Sequence, residues 1–256
     1  MAVQVYFIGA GPGDPELLTI KARRVIEGAD VIIYADSLIN PEVCALAREG
    51  AEVHRSSSLN LEEITGIIEN AVSQGKTVAR LQSGDPAIYG AVREQMDVLD
   101  EKGIDYEVIP GVSSLFAAAA ALKAELTVPE LSQTVIITRL EGRTPMPPPE
   151  RLRSLAAHRA SLAVFLSASM IDRVVSELTA GGYPAGTPVA VVYRASWPEQ
   201  QVLRTDLKNL ADEVRAAGIS KQALVLVGDF LRPASGERRS KLYDKRFKHG
   251  YREPGQ

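Results

Sequence analysis

A loop rich in glycine and proline near the start of the chain restricts its fold more than any other feature. The apolar residues 5–8 are typical of a buried strand, and they end at a segment, residues 9–14, that holds three glycines. Asp14 and Pro15 are then suited to the N-cap and first position of a helix, which Leu17, Leu18 and Ile20 would continue. This order places backbone N–H groups beside the carboxyl end of a strand, where a ligand can approach them. The segment predicts a ligand-binding α/β unit.

Two other interpretations of this loop are open. One is a dinucleotide fingerprint of the form Gly-x-Gly-x-x-Gly. Asp14 occupies its third glycine position and would place a carboxylate beside a pyrophosphate, which argues against a nicotinamide or flavin. The other is a tight turn that binds nothing.

Composition limits the class of protein. A chain of 256 residues with 45% hydrophobic residues is long enough for two domains of ordinary size. Its lone cysteine, Cys44, excludes an internal disulfide and a cysteine-rich metal site, and the net charge of −3 argues against a general nucleic-acid binder. No apolar stretch approaches the roughly 20 residues that cross a membrane, and the first predicted strand leaves no room for a signal peptide. We therefore expect a cytoplasmic protein without a metal.

Strand-forming runs alternate with helical patterns in the first half of the chain. The runs are residues 5–8, 31–34, 52–54, 77–81 and 106–109. Three of them end in loops of glycine and small polar residues, at residues 9–14, 82–90 and 110–114. Because parallel strands place their carboxyl ends on one edge, these loops can face one cleft. We predict a first α/β domain, residues 1–118, with a parallel five-stranded sheet.

The second half predicts another α/β domain, residues 119–231, followed by a basic tail, residues 232–256. Strands are predicted at residues 134–138, 162–166, 188–193, 201–204 and 223–227. The fourth of these follows Tyr193 too closely for a helical crossover, so a hairpin with its turn at Trp197 and Pro198 is predicted, which makes the sheet mixed. Residues 140–149 are too rich in proline for a helix or strand and predict a stiff exposed loop.

Three stretches resemble the tetrapyrrole methylase family, the class III S-adenosylmethionine-dependent methyltransferases. They are residues 8–22, residues 78–111 with Gly84-Asp85-Pro86 and Tyr89-Gly90, and residues 188–193. The similarity covers nearly the whole chain in the right order. It implies two α/β domains with the methyl donor in a cleft between them, and S-adenosylhomocysteine as a product. Residues 132–145, residues 193–198 and the tail resemble the members that methylate C-11 of precorrin-4 in cobalamin biosynthesis, giving precorrin-5.

The resemblance also implies which residues contact the donor. Most of them are small, which lets backbone groups approach a ligand. They are Pro12, Gly84, Asp85, Ile88, Ser113 and Ser114 in the first half, with Ser167, Ala168 and Ala195 in the second. At Ser113, Ser114 and Asp85 the alternative role is to cap the turns or helices that follow them, and both roles are open.

The substrate-binding residues are predicted from their charge. Precorrins carry many carboxylates, and an arginine fork binds carboxylates in pairs of hydrogen bonds. Five arginines lie in or beside the loops: Arg80, Arg93, Arg139, Arg143 and Arg194. Alternatively, these arginines are solvated surface residues that bind no substrate. The alternative for the basic tail is a flexible terminus. Related porphyrinogen methyltransferases have an acidic residue after the second strand as a proposed base. Asp36 is the corresponding catalytic candidate, although this chain has an extra residue there.

Several alternative functions are open. The substrate could be cobalt-precorrin-4 of the anaerobic pathway, uroporphyrinogen III or another precorrin. Diphthine synthases, ribosomal RNA 2′-O-methyltransferases and a non-enzymatic sensing module are more distant options. The resemblance implies a homodimer. An exposed Trp197 would then serve as an interface anchor or as a lid over the substrate.

Overall fold

The computed structural model describes residues 3–233, 248 and 250. These residues form two compact units. The first runs to Ala118 and also takes in Arg194–Gln201, and the second contains Ala119–Tyr193 and the chain from Val202. The segment 194–201 therefore groups with the first unit, although the residues on both sides of it belong to the second. Most of the tail predicted at residues 232–256 lies outside the described residues.

The first unit is built on a five-stranded parallel sheet, as predicted. Its strands are β1 (Val5–Gly9), β2 (Val31–Tyr34), β3 (Glu52–Arg55), β4 (Val78–Gln82) and β5 (Tyr106–Ile109). They lie in the order β3-β2-β4-β1-β5, and every pairing is parallel. Strands β4, β1 and β5 are therefore neighbours, so their carboxyl ends lie side by side at one edge.

Helices cover both faces of this sheet. They are α1 (Ile20–Gly28), α2 (Pro41–Cys44), α3 (Leu61–Ser73), α4 (Arg93–Glu101) and α5 (Ser114–Leu122), whose last residues pass the unit boundary. Successive strand residues point to opposite faces. Ile8 of β1 packs in a cluster with Ile26 of α1. Phe7 faces the other way and packs in a cluster with Ile68 of α3 and Leu99 of α4. The strands β1, β2 and β4 are thus buried on both sides, which explains their nearly continuous apolar sequences, whereas β3 is largely exposed.

The predicted first helix is two separate elements. Pro15–Leu17 forms a single 3₁₀ turn, which the Asp14 carboxylate caps as expected by accepting from the Glu16 N–H at 2.8 Å. Leu18 is extended, and the Thr19 hydroxyl caps α1 anew by accepting from the Ala22 N–H. The prediction of one continuous helix from Asp14 is therefore wrong, because Thr19 offers a second and competing N-cap.

The second unit contains the predicted mixed sheet. Its strands are β6 (Val135–Arg139), β7 (Ser161–Phe165), β8 (Pro188–Tyr193), β9 (Gln201–Asp206) and β10 (Ala223–Val227). They lie in the order β6-β7-β10-β8-β9, with β6 parallel to β7 and β10 antiparallel to both its neighbours. The Leu207 N–H, just after β9, donates to the Thr187 carbonyl, just before β8. Strands β8 and β9 therefore run in opposite directions, as in the predicted hairpin.

Three helices pack on this second sheet: α6 (Leu152–Ala156), α7 (Ile171–Ala180) and α8 (Leu210–Ala216). Their buried faces join the strands in one apolar cluster that includes Leu162, Val174 and Val225. The proline-rich loop before α6 is held by Arg139, whose guanidinium donates to the carbonyl oxygens of Leu140, Thr144 and Pro145 at 3.3 Å. No helix among the described residues is long and apolar enough to cross a bilayer.

Candidate functional site

Three loops meet at the carboxyl edge of the parallel sheet. They are residues 10–14 after β1, residues 83–90 after β4 and residues 110–114 after β5. The first two are tied by a pair of backbone hydrogen bonds between Gly11 and Gly84, with N···O distances of 3.2 and 2.8 Å. The convergence of loops predicted from the strand pattern is therefore present within the first unit.

Two glycines allow the backbones of these loops to touch. A Cβ atom on Gly9 would lie 2.5 Å from the Cα of Gly111 and 2.8 Å from the Gly84 oxygen. A Cβ on Gly111 would lie 2.7 Å from the Cα of Gly9. Real Cβ contacts essentially never fall below 3.0 Å, so only glycine fits at either position. The close approach forms a cradle of bare backbone at the sheet edge.

Asp85 ties the second loop to the third. One carboxylate oxygen accepts from the Gly111 N–H at 2.9 Å, and the other accepts from the Ala87 N–H at 2.8 Å. Hydrogen bonds to a charged acceptor are stronger than those between neutral groups. The capping role left open for Asp85 is therefore present, but it caps a turn, because α4 begins only at Arg93. The hydrogen bond from the Gly111 N–H adds a cross-link between two loops that the sequence did not suggest.

The serines after β5 have different surroundings. Ser113 is buried, its carbonyl accepts from the Phe116 N–H, and its hydroxyl accepts from the Leu115 N–H at 3.3 Å. Ser113 therefore acts as the cap of α5. Ser114 is the first residue of that helix and is half-exposed, as is Ile88 in the second loop. Gly84 has a φ of +66°, a conformation that glycine adopts without strain.

Trp197 is half-buried, and its indole Nε1 donates to the Pro12 carbonyl at 2.8 Å. Its neighbour Ala195 is 6% exposed. The prediction that the turn presents an exposed Trp197 is therefore wrong. Segment 194–201 turns its aromatic ring onto the first glycine loop, a contact between residues 185 positions apart that local sequence patterns do not encode.

Gln82 is a candidate that the sequence reasoning missed. It is the last residue of β4, stands opposite Gly9 in the sheet register and is 7% exposed. Its side-chain Nε2 is buried and has no hydrogen-bond partner among the described residues. An unused buried donor costs about 1–3 kcal/mol, which a ligand oxygen could recover. Its place directly before a glycine loop is the signal that could have identified it. Together with the cradle, it fits a polar ligand at this edge.

In the second unit, Ser167 and Ala168 follow β7 and are buried. The Ser167 hydroxyl accepts from the Leu140 N–H at 2.8 Å and donates to the Phe165 carbonyl at 2.6 Å. The side chain of Ser167 is thus used to hold two strand ends of its own unit together, and any contact with a ligand would come from the backbone or from Ala168.

The five candidate arginines do not share one environment. Arg80 is buried in β4 and donates to neutral groups: the Gln95 side-chain oxygen at 3.0 Å, the Ser56 hydroxyl at 3.1 Å and the Ile33 carbonyl at 3.4 Å. Burial lowers the pKa of its guanidinium to about 10. Arg80 thus lies in the interior of the first unit.

The other four arginines are nearer the surface. Arg93 is exposed on α4 and pairs with Asp97 at 2.8 Å. Arg139 holds the proline-rich loop, in which Arg143 is exposed. Arg194 lies over the Trp197 ring, 4.9 Å from its centroid. The structure therefore separates Arg143, which faces solvent, from Arg80 and Arg139, whose guanidinium groups are occupied by backbone or side-chain acceptors.

Asp36 lies exposed in the turn after β2. Hydrogen bonds from the Ser57 hydroxyl and from the Ser57 backbone N–H hold the pKa of its carboxyl below the usual value. The group is therefore ionised at neutral pH and is a weaker base than an ordinary aspartate. Its assignment as a catalytic residue stays a prediction.

Comparison with known proteins gives a consistent result. A family model described as Tetrapyrrole (Corrin/Porphyrin) Methylases matches residues 4–211. A cobalt-precorrin-4 C(11)-methyltransferase of Methanocaldococcus jannaschii is 57% identical over 249 residues, 97% of this chain and 96% of the relative. A precorrin-4 C(11)-methyltransferase of Pseudomonas aeruginosa is 46% identical over 252 residues, 98% and 99% of the two chains.

Solved structures agree. An X-ray structure of a cobalt precorrin-4 methyltransferase matches with a TM-score of 0.88 and 48% identity, covering 90% of this chain and 96% of the other. A uroporphyrin-III C-methyl transferase from Thermus thermophilus, complexed with S-adenosylhomocysteine, matches with a TM-score of 0.76 and 31% identity over 90% and 93%. Since the family model spans most of the chain and these relatives match nearly all of it, the chain belongs to the tetrapyrrole (corrin/porphyrin) methylases.

Proposed function

We propose that this protein is an S-adenosylmethionine-dependent methyltransferase that methylates C-11 of precorrin-4, giving precorrin-5 in cobalamin biosynthesis. The observation that carries this proposal is the identity, over nearly the whole chain, with relatives named as C(11)-methyltransferases: 57% with one named for cobalt-precorrin-4 and 46% with one named for precorrin-4. The glycine cradle of the first unit supports it, because it offers bare backbone and an unused Gln82 donor to a polar ligand.

In this proposal the first unit holds the donor through Pro12, Gly84, Asp85, Ile88, Ser113, Ser114 and Ala195, while Ser167 and Ala168 stay contacts that only the resemblance predicts. When bound, the donor supplies an electrophilic methyl group on a sulfonium. Gly9 and Gly111 keep the three loops close, and Asp85 ties the second loop to the third by accepting from the Gly111 N–H. The loops are therefore tied together before any ligand arrives, which lowers the cost of ordering them on binding.

The proposed reaction is a displacement, so the protein contributes by aligning the attacking carbon with the methyl group and by excluding water. No protein nucleophile is required. Cys44 is unsuited to that role, because burial raises the pKa of its thiol to about 12. Methylation at C-11 releases one proton, for which the ionised Asp36 is the candidate acceptor.

Cobalt-precorrin-4 is a second candidate substrate, in which cobalt would be part of the substrate. Two relatives named for it are 57% and 49% identical to this chain, whereas the relatives named for the metal-free substrate reach 46%. The higher sequence identity favours cobalt-precorrin-4 as the substrate. The position methylated, C-11, is the same in both substrates.

The decisive experiment offers the purified protein three tetrapyrroles in parallel. It would be incubated with a ¹³C-methyl donor and precorrin-4, cobalt-precorrin-4 or uroporphyrinogen III. We expect mass spectrometry to show the gain of one methyl group with at least one of the first two, and NMR to place the label at C-11. Methylation of uroporphyrinogen III alone, or of none of the three, would refute the proposal.

Arg143→Ala is expected to raise the KM for the tetrapyrrole about tenfold and leave the affinity for the donor unchanged. Arg143 is exposed in the proline-rich loop, and a hydrogen bond to a charged group contributes about 1.5–3 kcal/mol, reduced by solvent at the surface. The matched control is Arg215→Ala, which removes another exposed arginine, ion-paired with Asp172 and Asp212. Equal losses for donor and tetrapyrrole would indicate a structural role for Arg143.

We also propose that the enzyme is a cytoplasmic homodimer that binds neither membrane nor nucleic acid. The family resemblance supports the dimer. Because the half-buried Trp197 donates to the Pro12 carbonyl of its own unit, it is not proposed as the anchor of that dimer. A stable interface would bury on the order of 2,000 Å² and resist dilution. Sedimentation at low micromolar concentration is therefore expected to give twice the chain mass. An active species with the mass of one chain would contradict the dimer.

A further inference from the structure

Three successive residues of the first loop are each held by a different side chain from elsewhere in the first unit. The Pro12 carbonyl accepts from Trp197 Nε1 at 2.8 Å, and the Gly13 carbonyl accepts from the Asn40 amide at 2.9 Å. The Asp14 N–H donates to the Ser196 hydroxyl oxygen at 3.0 Å. Residues 12–14 therefore cannot move together without breaking the hydrogen bonds to Asn40, which follows β2, and to Ser196 and Trp197 in segment 194–201.

The indole ring also packs directly against the loop backbone. A Cβ atom on Gly13 would lie 2.8 Å from the Cγ of Trp197 and closer still to Cδ1 and Nε1. Gly13 is buried beneath the ring. The glycine is thus required by contact with the tryptophan, and any side chain there would push the ring away.

The turn that carries Trp197 is itself fixed. Arg194 and Ser196 both have left-handed backbones, with φ of +45° and +69°. Such conformations persist in non-glycine residues only where surrounding contacts determine them. Here the Trp197 N–H donates to the Arg194 carbonyl at 3.0 Å, and the Ser196 N–H donates to the Gln200 side-chain oxygen at 2.8 Å. The Arg194 guanidinium stacks on the ring. The indole is presented in one orientation.

We propose that Trp197 is a positioning residue for the methyl donor: it holds residues 12–14 in the conformation in which Pro12 binds the donor. This inference rests on the proposed function for the identity of the ligand. Trp197 acts through the Pro12 carbonyl and through the Gly13 backbone, and it need not touch the donor. A loop held in its binding conformation avoids the ordering cost that a mobile loop meets when a ligand arrives.

Two variants loosen the contact in different ways. Trp197→Phe keeps an aromatic ring over Gly13 but removes the N–H donor to Pro12. Gly13→Ala keeps the indole and displaces it. For each we expect the dissociation constant for S-adenosylhomocysteine, measured by calorimetry, to rise about tenfold, which corresponds to about 1.4 kcal/mol at 25 °C. The KM for the methyl donor should rise with it, and the KM for the tetrapyrrole should stay the same.

Tyr183→Phe is the matched control. The Tyr183 hydroxyl donates to the Ala160 carbonyl at 2.7 Å in the second unit. This variant therefore also loses one hydrogen bond from an aromatic side chain to a backbone carbonyl. We expect a lower thermal midpoint with no change in the affinity for S-adenosylhomocysteine, which separates a loss of stability from a loss of positioning.

The wild-type protein carries its own reporter, because Trp197 is the only tryptophan among its 256 residues. Titration with S-adenosylhomocysteine should change the tryptophan emission saturably, with the dissociation constant found by calorimetry. In Gly13→Ala the same titration should saturate at about tenfold higher ligand concentration.

The outcomes separate this inference from the proposed function. Wild-type affinity for S-adenosylhomocysteine in both variants would overturn the role of Trp197, as would a rise confined to the KM for the tetrapyrrole. A protein that binds S-adenosylhomocysteine but methylates no tetrapyrrole would refute only the proposed reaction, and the affinities of the two variants would still decide on Trp197. A wild-type protein that does not bind S-adenosylhomocysteine would overturn both.

Discussion

Gly111→Ala should destabilise the protein by about 3 kcal/mol or more. Its methyl group would lie 2.7 Å from the Cα of Gly9. The obstacle is backbone, at Gly9 of β1 and at the Gly84 carbonyl oxygen in the second loop, which cannot move aside as a flexible side chain can. The cost therefore reaches the upper range for overpacking. Urea unfolding monitored by circular dichroism measures the loss. Gly9→Ala should destabilise the protein similarly, because its methyl group would clash with the backbone of Gly111.

Gly66→Ala is the matched control for this prediction. Gly66 lies exposed in the middle of α3, where a Cβ would meet nothing within 4 Å. Alanine there should stabilise the protein by about 0.5–1 kcal/mol, because glycine disfavours a helix interior. Replacing glycine by alanine is thus expected to increase the stability of the protein at position 66 and to decrease it at position 111. Gly111→Ala with wild-type stability would refute the close packing of the three loops.

Gly84→Leu is expected to weaken the binding of S-adenosylhomocysteine more than 100-fold while the protein stays folded. A Cβ at position 84 would lie 3.5 Å from the Cα of Ser113 and 3.6 Å from the nitrogen of Ser114, which are ordinary contacts. The remaining leucine carbons would extend beside these two residues, where the donor is proposed to bind. Calorimetry measures the affinity, and circular dichroism checks the fold.

Gly84→Ala separates blocking from backbone strain. It imposes the same left-handed φ of +66° on a residue with a Cβ, at a cost of about 1–2 kcal/mol in stability. It adds no further carbons, so the donor should still bind with near wild-type affinity. If the leucine variant also bound S-adenosylhomocysteine normally, Gly84 would not belong to the donor site.

The sheets were predictable because their strands are apolar runs bounded by turn residues. Val31–Tyr34, Tyr106–Ile109 and Ala223–Val227 have the predicted bounds. The short connection between β8 and β9 was enough to predict a mixed second sheet. The helices α2 and α6 were not predicted, since four or five residues are too few to show a helical period.

The candidate site was predictable only in outline. That three glycine loops share an edge follows from parallel strands, but their contact depends on the strand order, which places β4 and β5 on either side of β1. The Asp85 bond to Gly111 and the Trp197 bond to Pro12 join residues far apart in the chain, so no local pattern reveals them. The interior position of Arg80 could be predicted, because an arginine inside an apolar strand must find its hydrogen-bond acceptors within the protein.

The grouping of residues 194–201 with the first unit sets the order in which the nascent chain can complete its fold. Domains generally fold from the N-terminus during synthesis, at about 5–20 residues per second. Pro12 and Trp197 are 185 residues apart. At those rates the Pro12 carbonyl has been synthesised roughly 10–40 seconds before its indole partner exists. A ribosome-bound chain that has passed Ala118 therefore holds every strand of the parallel sheet but still lacks the tryptophan that covers Gly13, and the first unit is finished only when most of the second has been made.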